Sequence, residues 1–213
     1  MAITDAQKLL IYNGALTEMG ERKLSALTDS VESRRVLDTI WDDDFIEEVL
    51  QAGYWNFAVR TALIDEDTDI DSEFGYGYAF SKPSDWVRTV VISEHEDFHM
   101  PLNDIVDEAG YWWSHSDQIY AKWISNGDNY GGDYSKWPPD FKYFVKCRLA
   151  YRAAKRLTQD REKLAFLKRE LKDALLAAKN SDAMNEPVKF APAGEWVRSR
   201  HGGSRLGRER RGS

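Results

Sequence analysis

Residues 138–157 read PPDFKYFVKCRLAYRAAKRL, and their pattern decides the fold. A proline suits the first turn of a helix, where its missing N–H costs nothing. Phe141, Phe144, Val145, Leu149, Ala153 and Leu157 then recur at helical spacing. Ala150, Ala153 and Ala154 let a second helix approach closely. The stretch matters because of what precedes it: from Ala58 the chain has read as strands, and here helix returns.

Upstream, residues 126–133 hold Gly127, Gly131 and Gly132 and form a turn-rich loop that closes the strand region. Strands are expected at 58–64, through the alternating Phe74, Tyr76, Tyr78 and Phe80, at 86–93, 104–108, 111–114 and 118–125. An acidic loop at 65–73 separates the first two. Before them, Thr4 and Gln7 spell a capping box for a helix carrying Leu9, Tyr12, Leu16 and Met19 and ended by Gly20. Thr28 or Asp29 is expected to cap a longer helix with Leu37, Ile40, Trp41, Phe45 and Val49 on one side, stopping near Gly53 and carrying Asp42, Asp43 and Asp44 in its middle. Downstream, a last helix runs from about Asp160 to Met184. The expected class is α+β: a four-helix bundle with an inserted antiparallel β domain and an extended C-terminal arm. The bundle takes 1–57 and 138–186, the β insertion 58–137 and the basic arm 187–213.

Charge is divided unevenly. Residues 195–213 hold six arginines, Arg198, Arg200, Arg205, Arg208, Arg210 and Arg211, against Glu195 and Glu209. The arm is therefore +4 on a chain of net charge −7, which leaves −11 to residues 1–194. Opposite signs on arm and body point to a contact outside the arm's own domain, with nucleic acid or with an acidic protein surface. The single cysteine, Cys147, excludes an intrachain disulfide and reads as a small buried residue. With neither a charged start leading into an apolar run nor an apolar stretch of about 18 residues, no signal peptide and no membrane span are expected.

The chain carries one literal catalytic string. His95, Glu96 and His99 match H-E-x-x-H, in which two histidines on one helical face bind zinc and the glutamate activates the bound water. The β-branched run before it and Pro101 after it predict a turn instead of a helix. Glycine-rich phosphate loops and G-x-S-x-G are absent from the sequence. The acidic loop lacks the central glycine of a calcium-binding loop. Tyr111, Trp112, Trp113 and Trp123 form an aromatic cluster with too few cations for a single-strand platform, which leaves a protein–protein surface or a small β core.

Five blocks together resemble the head-to-tail adaptor family of short-tailed bacteriophages: LLIYNGALTEMGE (9–21), YWNFA (54–58), YGYAFSKPSDWVR (76–88), FKYFVKCRLAYRAA (141–154) and WVRSR (196–200). The sequence departs from the family pattern in its longer arginine-rich end beyond Arg200 and in the Trp-rich insertion around 111–123. The resemblance implies a non-enzymatic virion protein at the head–tail junction, assembled in the host cytoplasm. It implies a twelvefold ring between the portal protein and the tail tube or nozzle, with DNA passing through the lumen without sequence-specific binding. No catalytic residue, metal or cofactor is expected. Trp55, Phe57, Pro83, Asp85 and Arg88 would be structural, and Tyr111, Trp112, Trp113 and Trp123 a tail or subunit interface. The arm would dock on the portal, anchored by Trp196 and guided by its arginines. The alternatives are a zinc-dependent peptidase or cell-wall hydrolase built on His95 and His99, and an arm-mediated nucleic-acid-binding protein.

Overall fold

Thr4 opens the first helix as the capping box predicts: its hydroxyl accepts from Gln7 N–H at 3.4 Å, and the Gln7 side chain accepts from Thr4 N–H at 2.9 Å. In the computed structural model, which describes residues 3–71, 75–158 and 160–185, eleven helices and strands follow one another. They are α1 (Asp5–Met19), α2 (Glu32–Trp41), α3 (Phe45–Gln51), β1 (Val59–Asp65), β2 (Tyr78–Ser81), β3 (Trp86–Ser93), β4 (Ile105–Glu108), β5 (Tyr111–Ser114), β6 (Gln118–Ser125), α4 (Pro139–Leu157) and α5 (Arg161–Met184). The protein is thus mixed α+β, with five helices and two small antiparallel sheets among the described residues. The expected arm, 187–213, lies outside them.

The expected long second helix is divided in two. Asp42, Asp43 and Asp44 form a turn, and Asp44 takes a left-handed conformation at φ 47°. Three adjacent carboxylates repel one another, and aspartate is a weak helix former that tolerates this region better than most residues. The start is also corrected: Val31, not Thr28 or Asp29, holds the capping position of α2. The Asp29 carboxylate is turned backwards and accepts from Ser25 N–H at 2.7 Å and Ala26 N–H at 3.3 Å.

The helix α4 lies at the centre of the helical part and packs against α1, α2 and α5. Phe141, Phe144, Val145, Leu149, Ala150, Ala153 and Ala154 are all buried, so the small residues do permit close approach. Cys147 is buried on the same helix, and burial pushes its thiol up to about 11, with Glu18 and Glu170 adding and the Tyr143 hydroxyl opposing. Asp160 caps α5 by accepting from Glu162 N–H at 2.9 Å and Lys163 N–H at 3.2 Å.

The strands form two three-stranded sheets, ordered β1-β6-β3 and β2-β5-β4. Ala109 and Gly110, at φ 54° and 89°, make the two-residue turn between β4 and β5, where both positions of a tight hairpin require positive φ. Phe80, Trp112, Ile92, Ile119, Ala121 and Trp123 come from both sheets and form a second core. One end of the β1-β6-β3 sheet enters the helical core instead, through Ala58, Val87 and Ile124.

Trp55 marks that entry. Fully enclosed, its ring stands edge-on to Phe141 at 4.8 Å and lies 6.1 Å from Phe144 and 6.4 Å from Phe57, while its indole N–H donates to Leu50 C=O at 3.0 Å. Aromatic side chains of this size bury the largest areas and gain from edge-on contact. Replacing Trp55 by alanine is expected to cost about 3–5 kcal/mol, read as a lowered urea midpoint with unchanged slope.

Candidate functional site

Two of the family-like blocks, nearly thirty residues apart in sequence, meet where the sheet joins the helices. Arg88, at the end of the Pro-x-Asp-Trp-x-Arg run, donates to Gly53 C=O at 3.2 Å, two residues before Trp55. Pro83 C=O accepts from Trp86 N–H at 2.9 Å, closing the turn that carries Asp85 into β3. Asp85 in turn accepts from Arg60 Nη1 at 2.8 Å and from the Ser125 hydroxyl. The five residues Trp55, Phe57, Pro83, Asp85 and Arg88 are therefore brought to one joint.

The electrostatics of the joint follow from its burial. Asp85 is only 13% exposed, and burial alone would raise its pKa. The Ser125 hydroxyl and the Arg60 guanidinium outweigh that and hold the carboxyl below its ordinary value. Its second oxygen, Oδ1, is buried without a hydrogen-bond partner among the described residues. Arg60 lies over the rings of Trp123 at 5.2 Å and Tyr130 at 5.6 Å, which adds a cation–π attraction. Ser125 also ties down the glycine loop, since its hydroxyl accepts from Gly127 N–H and its carbonyl from Gly131 N–H, each at 3.0 Å. Gly131 has no alternative there: a Cβ would lie 2.4 Å from the Ser125 carbonyl oxygen. Trp137, just before α4, donates to Gly131 C=O at 2.8 Å and completes the link to the helices.

A second tie fixes the end of α5. The buried Asp182 carboxylate accepts from Asn56 N–H at 3.1 Å, and the Asn56 side chain donates to Asp182 C=O at 2.9 Å. Sequence reasoning did not single out Arg60, Ser125, Asn56 or Asp182, because each becomes informative only through a partner distant in the chain.

The aromatic cluster belongs to the core. Trp112 and Trp123 are fully enclosed and Trp113 nearly so, with only Tyr111 partly exposed. The expectation of a tail or subunit interface is corrected for the three tryptophans: Trp112 and Trp123 belong to the second core, and Trp113 is buried beside Tyr111. Trp112 N–H is satisfied by Thr89 Oγ1 at 3.1 Å, whereas Trp113 and Trp123 keep buried N–H groups without an acceptor among the described residues. The expected anchor Trp196 and the arginines 198, 200, 205, 208, 210 and 211 lie outside the described residues.

His95, Glu96 and His99 fall on the bends and turns after β3, with Phe98 between them at φ 57°. The condition that two imidazoles share one helical face is not met. All three residues are exposed, His99 donates its backbone N–H to the Asp97 carboxylate at 3.0 Å, and no group of three or more metal-ligating side chains assembles among the described residues.

The joint predicts a pH dependence. A carboxyl held below its unfolded value of about 4 contributes stability above that pH and loses it as pH falls through the lower folded value. In urea titrations, wild type is expected to weaken as pH falls from about 4 to 2, and Asp85→Asn to start less stable at neutral pH and lose less over the same interval. Neither the models of known protein families nor the curated proteins give a match to this chain.

Proposed function

We propose that the chain is a structural assembly protein of the head-to-tail adaptor type, a non-enzymatic ring subunit between portal and tail whose C-terminal arm docks on the portal. The observation that carries this reading is the use of polar groups in the two most family-like blocks. Asp85 is held by Arg60 and Ser125 and Arg88 donates to the Gly53 carbonyl, so these groups build a joint between sheet and helices. On this reading α1, α4 and α5, with α2 and α3 as one interrupted member, serve as a four-helix bundle, and the strands project from it.

The Asn56–Asp182 tie supports the arm's role, because it fixes the end of α5, the last described helix before the expected arm at 187–213. A tethered arm raises the effective concentration of its binding segment. Trp196 is the anchor and the arginines supply charge-assisted bonds to acidic portal groups. The body, at −11, repels phosphate, which suits a wall past which DNA slides without sequence-specific contact. The reading requires no cofactor and no membrane, and it places the protein in the virion at the head–tail junction after assembly in the host cytoplasm.

Deleting residues 195–213 is expected to weaken binding to isolated portal rings by roughly tenfold or more while leaving the melting temperature unchanged. Surface plasmon resonance on immobilised portal measures the first and scanning calorimetry the second. Unchanged portal affinity overturns the docking role of the arm.

A further inference from the structure

Between α3, α4 and α5 lies a groove of about 470 Å³. Its floor is apolar, made by Phe144, Tyr151, Leu171 and Leu175, and three cations, Arg148, Lys168 and Lys172, stand around it. Arg148 is neutralised by Glu48. Lys168 and Lys172 are exposed, one helical turn apart on α5, and neither has an ion pair among the described residues. Like charges at that spacing repel, and nothing in the chain's own described surface relieves them.

The complementary feature stands at the other end of the sheet. β1 starts at Val59 against the helical core and ends at Asp65, about 20 Å further on at the usual rise of a strand. Beyond it, Asp65, Glu66, Asp69 and Asp71 are exposed in one loop, again without ion pairs among the described residues. Asp67 shapes the loop by accepting from the Ser81 hydroxyl and from Asp69 N–H at 3.2 Å. Ile70 sits half-buried between the acids. An apolar side chain flanked by carboxylates is the counterpart of an apolar groove flanked by ammonium groups.

We infer that the groove receives the acidic loop of a second copy of this chain, with Ile70 against the half-buried Tyr151 and Leu175 and with Asp69 and Asp71 against Lys168 and Lys172. The two surfaces differ, so the contact is heterologous and propagates from copy to copy until it closes. The inference rests on the ring-forming reading above and supplies the subunit contact that reading needs.

Two variants test it, Lys168→Glu with Lys172→Glu, and Asp69→Lys with Asp71→Lys. All four positions are exposed and away from the joint, and circular dichroism melting of each variant checks the fold. In sedimentation velocity at low salt, wild type is expected to self-associate, each variant alone to weaken roughly tenfold or more, and an equimolar mixture to regain assembly. The mixture recovers because, where the two variants alternate, each reversed groove meets a reversed loop and each unaltered groove an unaltered loop. Variants that assemble like wild type, a mixture that stays monomeric, or a wild type that is monomeric at every concentration overturns the contact. The arm-deletion assay reads portal affinity and not self-association, so either proposal can fail alone.

Discussion

The enclosure of the Trp55 ring holds the molecule together as one body. Its neighbours Phe57, Phe141 and Phe144 come from the short turn before β1 and from α4, and its N–H is satisfied at the end of α3. One side chain therefore joins the helices before the sheets to the helix after them. Beside this ring the mostly buried Asp85 carboxylate loses less to competition with water than a surface partner does, which strengthens its bonds to Arg60 and Ser125. On the proposed reading as a ring subunit, the joint would serve to hold the faces of each copy at a constant angle, which a closing ring requires.

Charge is distributed in two ways on the surface. Some acids are spent inside the chain: Asp43 and Glu48 face Arg152 and Arg148 on α4, and Glu32 faces Arg156. These pairs follow the helix at four-residue intervals and hold α2 and α3 to α4 across the Asp42–Asp44 turn. Others, the acids at the tip of β1 and the lysines of the α5 groove, have no ion pair among the described residues, and in the proposed contact between copies it is these that meet. Paired charges register the fold, and unpaired ones are available to a neighbour.

Much of this architecture was legible in the sequence because it is local. The capping box at Thr4, the prolines before α4 and the Asp160 cap each act within one helical turn, and β3 and β6 were bounded by their own β-branched and apolar runs. The break at Asp44 was missed because the apolar stripe continues across it, from Ile40 to Phe45, and a stripe does not record a single left-handed residue. Strand order was beyond reach for a different reason. β1 pairs with β6 across more than fifty residues, and nothing in either strand names the other. The tryptophans at 112, 113 and 123 show the same limit: composition says that large rings dominate both cores and interfaces, and only the pairing of the sheets decides between them. Likewise Asp85 was singled out by resemblance, whereas Arg60 and Ser125, which give it a role, were not.

The setting of Cys147 gives the chain a practical property. It is the one cysteine in the sequence, it is enclosed on α4, and its thiol remains protonated at neutral pH. Thiol reagents act on the exposed thiolate, so the native chain is already a silent background. A cysteine introduced at any exposed position becomes the sole coupling site for a dye or spin label, without removal of a native residue. Distances between copies, and between arm and body, thereby become accessible to spectroscopic rulers on an otherwise unaltered protein.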